Sequence, residues 1–203
     1  MQIDTEHVLF WMDAIRNSKD PKRTLESFWK GQVKSKIWLI EKLSNCLNKD
    51  KDYGIVIHGG WYGVLASLLF QNSYFNVSNI TSVDIDPSCQ ETANTINKME
   101  EMQGRFSSET ADMCSYFYMT TPDIVINTSC EHITQEQYNE WLSNIPDESL
   151  IVLQSNNYDI QEHIRICSSL DEFVDSSHLE ILWSGELQLP LYKRFMIIGK
   201  KCV

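Results

Sequence analysis

Apolar residues recur at helical spacing along the first fifty positions. One helix is predicted near His7–Asn17. Asp20 and Pro21 then read as an N-cap and a first helical residue, because proline has no N–H to lose there and its φ already suits a helix. Leu25, Phe28, Trp29, Val33, Ile37 and Ile40 keep the 3.6-residue period and predict one continuous helix to about Leu47.

The polar stretch 48–52 ends this pattern. Short apolar runs follow, separated by helical stretches. Strands are expected over Tyr53–Ile57, Ile80–Ile85, Arg105–Ala111, Asp123–Asn127 and Leu150–Gln154. Helices are expected over Val64–Phe70, from Asp86 or Ser88 to about Met102, over Gln135–Leu142 and over Ser169–Asp175. Two last strands, Leu179–Leu187 and Lys193–Gly199, are joined by a short link containing Pro190. A link that short permits an antiparallel pair and forbids a parallel crossover. The pattern predicts an α/β fold: a mostly parallel sheet covered by helices, with an antiparallel end.

Composition narrows the function classes. The 203 residues suit one large α/β domain, or a domain with a helical extension. A formal charge of −11 disfavours generic DNA or RNA binding, although 19–36 is locally basic. No apolar run reaches the roughly 20 residues of a membrane span, and the first residues lack a signal-like pattern. A cytoplasmic location is the default expectation. The six cysteines show no CxxC pair and no zinc-finger spacing, so reduced thiols are expected and no metal site is predicted.

The first candidate site lies between the first strand and its helix. His58-Gly59-Gly60-Trp61-Tyr62-Gly63 is a glycine-rich turn leading into a helix. Such a turn aims backbone N–H groups at an anionic or carboxylate-bearing cofactor, and glycine lets the ligand approach the backbone. Asp84 closes the second strand, 25 residues beyond Gly59. An acid there can accept hydrogen bonds from both hydroxyls of a ribose. Asp86, just before Pro87, reads as the cap of the next helix.

With these features the chain resembles the class I S-adenosylmethionine-dependent methyltransferases. Residues 56–66, Val56 to Ala66, look like that family's first motif and Val83-Asp84-Ile85-Asp86 like its second. Thr110-Ala111-Asp112-Met113 is similar to the acid-containing turn beside the adenine. Residues 122–127 resemble the strand ending at the transferred methyl group, 148–153 the fifth strand, and 194–199 the reversed last strand. The likeness spans roughly residues 50 to 200. It implies a doubly wound, Rossmann-like sheet of seven strands with an antiparallel C-terminal strand. Residues 1–48 would form an N-terminal helical cap and 49–203 the cofactor-binding domain. It implies S-adenosyl-L-methionine as cofactor, contacted by His58, Gly59, Gly60, Trp61, Gly63, Asp84, Ile85, Asp112, Met113 and Asn127. A nicotinamide enzyme is the rival, opposed by the antiparallel end and by the glycine spacing.

The turn departs from the family at Trp61, which stands where the middle glycine belongs. Gly60 is then expected to shift the tight turn by one residue, with the indole covering the cofactor. If the indole instead fills the methyl pocket, the chain would be a non-catalytic binding module. The acid usual late in the first strand is also missing, with His58 in its region.

The transferase reading predicts a small molecule or a protein side chain as methyl acceptor. Glu131 and His132, just beyond the fourth strand, are the candidate bases; the plain alternative is that Glu131 and Thr134 open the next helix. Cys130 has no partner base at suitable spacing. The segment 127–132 lacks the proline-rich, aromatic-ended tetrapeptide of DNA amino-methylating members. Asn156, Asn157 and Tyr158 follow the fifth strand and could meet substrate. Trp11, Phe28, Trp29, Gln32 and Trp38 offer a lid surface or, more simply, a packed helical face.

Overall fold

Within the computed structural model, residues 3–202 are described. Three helices open the chain: α1 (Thr5–Asn17), α2 (Pro21–Glu26) and α3 (Lys30–Leu43). Asp20 caps α2 by accepting the Arg23 N–H at 2.9 Å, and Pro21 takes the first turn, as predicted. The expected single helix is nevertheless two. The Ser27 hydroxyl donates to the Thr24 carbonyl at 2.6 Å, a local bond that competes with the helical ladder. Trp29 then leaves helical geometry at ψ 145° and lays its ring over Gly31. Leu25 and Trp29, counted toward the apolar stripe, are exposed.

The sheet has seven strands: β1 (Asp52–His58), β2 (Asn76–Asp84), β3 (Phe106–Thr110), β4 (Ile124–Asn127), β5 (Leu150–Asn156), β6 (Leu179–Gln188) and β7 (Lys193–Lys201). Their order is β3-β2-β1-β4-β5-β7-β6. The first five are parallel, and β7 runs antiparallel between β5 and β6. The helices that follow strands are α4 (Val64–Phe70), α5 (Gln90–Ile96), α6 (Lys98–Met102), α7 (Gln135–Asn144) and α8 (Leu170–Asp175).

Both sheet faces are buried, and the two-residue period sorts the side chains. Ile124, Ile126, Leu150, Val152, Met196 and Ile198 join α3, α4 and α5 in one core; Val125, Ile151, Leu153, Phe195 and Ile197 join α7 and α8 in the other. The helix expected to start at Asp86 begins at Gln90 and is interrupted at Asn97. Asn97 is fully buried and turns its amide to the carbonyls of Gly63 and Ala93. Asp86 does not cap it: its carboxylate accepts the Ser88 N–H and pairs with Arg23 at 2.6 Å.

The opening helices are tied to the sheet's helical layer. His7 and Glu100 form a buried pair at 2.9 Å, and the Trp11 indole N–H donates to Ser67 at 3.0 Å. No helix among the described residues is long and apolar enough to cross a membrane.

Candidate functional site

The strand order reverses between β1 and β4, and ligands of open α/β sheets bind beyond the strand ends at that point. In register, Asn127 lies beside His58, His58 beside Val83, and Asp84 beside Thr110. The glycine turn and the segment after β4 meet there: a Cβ on Gly59 would stand 3.0 Å from the Ser129 hydroxyl oxygen.

Gly59 and Gly63 occupy the left-handed region, with φ of 62° and 72°. Trp61 shares it at φ 49°, a conformation that costs an ordinary residue roughly 1–2 kcal/mol. Its N–H donates to Asp84 Oδ2 at 2.7 Å, a charge-assisted bond that offsets the strain. The indole stacks on Tyr62, centroids 5.3 Å apart, and rests against the core beneath. Gly60 donates to the Val83 carbonyl, and a Cβ there would fall 2.0 Å from Ser82 Oγ. The expected shift of the turn to Gly60 is not seen: Trp61 itself takes the left-handed backbone, and Gly60 is needed only for the close approach to Ser82.

Asp84 braces the turn from β2. One carboxylate oxygen holds Trp61 and the other accepts the Asp86 N–H at 3.0 Å. An ionised carboxylate has about four acceptor positions, so two remain. Ile85 beside it is 70% exposed, an apolar surface at the same strand end. Arg23 of α2 lies over the Tyr62 ring and pairs with Asp86, whose carboxyl is lowered to about 2, chiefly by the Ser88 hydroxyl and then by Arg23.

His58 is placed differently from a ligand-facing residue. Its ring is fully buried between Tyr116, Tyr118 and Trp141, with Nε2 at 2.8 Å from the Tyr118 hydroxyl. Burial lowers its pKa to about 3. As pH falls from about 6.5 toward 3, the unfolded chain takes up a proton here and the folded chain does not. Stability at this position is thus kept above pH 6.5 and lost across that window. A His58→Gln variant is expected to show a flatter stability profile between those pH values in urea unfolding. Parallel profiles would remove His58 as a source of acid sensitivity.

Asp112 is exposed and accepts the Cys114 N–H at 2.9 Å, opening a 3-10 turn over Met113–Ser115. Asn127 is buried, its amide directed to the Met113 sulfur and its carbonyl to the Ser129 N–H. Asn127 and the Asp112-Met113 turn are thus in contact at the ends of β3 and β4. Thr134, not Glu131, caps α7, in a full capping box with Gln137.

Glu131 instead sits in a buried polar cluster. Its Oε1 accepts from Arg194 of β7 and from Asn156 of β5, each at 2.6 Å. Arg194 also donates to the Thr128 carbonyl and lies 3.4 Å from Gln154. Gln154 accepts the Ser35 hydroxyl at 2.9 Å. Lys36 next to Ser35 is buried and donates to Gln32 at 2.9 Å. Its amine is lowered to about 7, first by burial and then by the Arg194 charge. Arg194, Gln154, Lys36 and Ser35 were not among the predicted site residues. The available signal was weak: Ser35-Lys36 interrupts an apolar helix face.

His132 is exposed, and the buried Cys130 thiol is raised to about 12 by desolvation. Asn156 belongs to the cluster, Asn157 holds Lys193 at 2.8 Å, and Tyr158 stacks on Tyr192. Of the expected lid aromatics, Trp38 is packed on Trp183, and Trp11 meets Phe28. A separate cleft of about 450 Å³ lies between α1 and α5–α6, lined by Phe10, Asp13, Glu91 and Lys98; no glycine-turn residue lines it.

No protein-family description matches this sequence, and no curated protein matches it significantly. Solved structures do. Magnesium protoporphyrin IX methyltransferase (ChlM) from Synechocystis PCC 6803, solved with bound SAM, matches with a TM-score of 0.65 at 12% identity, over 98% of this chain and 92% of that one. The N-methyltransferase NodS from Bradyrhizobium japonicum WM9, in complex with S-adenosyl-L-homocysteine, matches with a TM-score of 0.65 at 11% identity, over 96% and 99%. The pyocyanin biosynthetic protein PhzM matches with a TM-score of 0.66 at 14% identity, over 95% of this chain and 62% of that one. By its strand order, its reversed seventh strand and these likenesses, the chain has the fold of the class I S-adenosylmethionine-dependent methyltransferases.

Proposed function

We propose that this chain is an S-adenosylmethionine-dependent methyltransferase acting on a small molecule or a protein side chain. The observation that carries the reading is Asp84: its carboxylate leaves β2 at the strand end, clamps the glycine turn through Trp61 N–H, and keeps two acceptor positions. The absence of a Cβ at Gly59 and Gly60 lets the turn pack closely on Ser129 and Ser82, which keeps it tight beside Asp84.

The cofactor supplies a sulfonium-bound methyl group and its leaving group. The chain's residues bind, align and exclude water. Asp84 accepts the ribose hydroxyls; Asp112 and Met113 frame the adenine; Asn127 lines the end where the methyl group is transferred. His58, behind the turn, supports β1 rather than touching the ligand. Helices α1 to α3 serve as a helical cap, with Arg23 holding α2 across the turn. An acceptor that must lose a proton early needs a base, for which His132 is the accessible candidate; Glu131 is held by Arg194. The indole of Trp61, stacked on Tyr62, favours a cofactor loop over a pocket filled by tryptophan.

Isothermal titration of the folded protein with S-adenosylmethionine is expected to show 1:1 binding. S-adenosyl-L-homocysteine is expected to compete, and NAD to give no heat. A folded sample that binds neither sulfur cofactor at millimolar concentration would overturn the reading.

A further inference from the structure

We propose that Glu131, His132 and His163 form a divalent transition-metal site at the acceptor end of the crevice. One donor atom from each of the three lies within 4.8 Å of the others. The donor chemistry of the three side chains is already sorted. His132 Nδ1 lies 3.0 Å from the Glu162 carbonyl oxygen, and His163 Nδ1 lies 2.7 Å from that of Tyr158. A carbonyl only accepts, so each Nδ1 carries the proton and each Nε2 keeps its lone pair. This anchoring of one ring nitrogen on a carbonyl is the usual outer support of a metal-bound histidine. On Glu131, Arg194 and Asn156 both take Oε1, while Oε2 is buried and has no partner. A residue 3% exposed is thus left with one bare carboxylate oxygen.

The backbone holds the three together. The Glu131 carbonyl accepts the N–H groups of Ile164 at 2.9 Å and Arg165 at 3.1 Å, fixing the His163 loop against the segment after β4. The imidazoles face each other edge-on, centroids 4.8 Å apart. Tetrahedral bonds of about 2.0–2.2 Å set donors roughly 3.4 Å apart, so an ion would draw the donors together by up to about 1.4 Å. His132 is exposed and His163 half-buried, so both can move.

Two imidazoles and one carboxylate suit zinc or iron rather than magnesium or calcium. Three protein ligands leave positions open for water or for an acceptor oxygen, whose proton the ion would make easier to lose. His132 is then a ligand and not the base. The nearby Arg194 charge opposes a second cation, so much of the affinity has to come from the imidazoles. The ion's role toward an acceptor rests on the methyl-transfer reading; the site itself does not.

The test uses chelator-treated protein, titrated with Zn²⁺ by calorimetry and with Co²⁺ by visible absorbance. One ion per chain is expected, with Co²⁺ bands of a nitrogen and oxygen site and no thiolate charge-transfer band. His163→Ala and His132→Ala are each expected to weaken Zn²⁺ by more than the roughly 10- to 100-fold that loss of an outer partner costs. Both changes are near the surface, and circular dichroism checks folding. S-adenosylmethionine affinity of His163→Ala, measured alongside, is expected to be unchanged. No stoichiometric Zn²⁺, Zn²⁺ binding untouched by both variants, or a thiolate band overturns the site. Zn²⁺ binding without cofactor binding leaves the site standing and overturns the transferase reading.

Discussion

Arg194→Met is expected to lower folding stability by about 3–5 kcal/mol, the cost of leaving a buried charge without its partner. The side chains of Arg194 and Glu131 are 5% and 4% exposed, so water does not replace the lost contact. Arg194 also satisfies the Thr128 carbonyl, which would be orphaned with it. For a chain of this size the change corresponds to a melting temperature roughly 6–20 °C lower. The paired change Arg194→Met with Glu131→Gln is expected to recover most of the loss, since it removes both charges. Urea unfolding of the two variants decides the matter. A single variant within about 0.5 kcal/mol of the parent, the size of an ordinary surface change, would mean the ion pair does not hold the strand ends together.

Asp84→Ala is expected to weaken S-adenosylmethionine by about 1.5–3 kcal/mol through lost charge-assisted hydrogen bonds, roughly 13- to 150-fold in affinity. The structure adds a second route to the same loss. Without the carboxylate, Trp61 keeps a left-handed backbone that nothing offsets, and the glycine turn loses its clamp. Asp84→Asn separates the two routes, because one amide oxygen can still accept the Trp61 N–H while the charge is gone. Calorimetry that finds the parent affinity in the alanine variant would remove Asp84 from the site.

The strands were legible because both sheet faces are buried, leaving apolar runs such as Ile124-Val125-Ile126 bounded by polar turns. The glycine turn was legible because Gly59 and Gly63 take a left-handed backbone, and Asp84 because it stands at the end of a strand. Breaks in helices were not, since Ser27 and Asn97 act through single side-chain bonds to carbonyls that periodicity does not register. Asp86 was misread for a related reason: its partner, Arg23, is 63 residues away. Arg194 in an apolar last strand and His163 in an irregular loop carry no local mark either. Their meaning comes from Glu131, 63 residues from Arg194 along the chain.

The place of β7 has a consequence for how the molecule is made. It follows the other six strands along the chain, yet it lies inside the sheet, between β5 and β6. Until its residues leave the ribosome, β5 presents an unpaired edge and Glu131 has no cation. Unpaired edges invite pairing with other chains, and pairings between distant segments form late. During synthesis the hydrogen-bonded edge of β5 and the buried charge of Glu131 therefore both wait for β7. Loss of β7 should cost more than its own hydrogen bonds, because it separates β6 from the sheet and leaves Glu131 without Arg194.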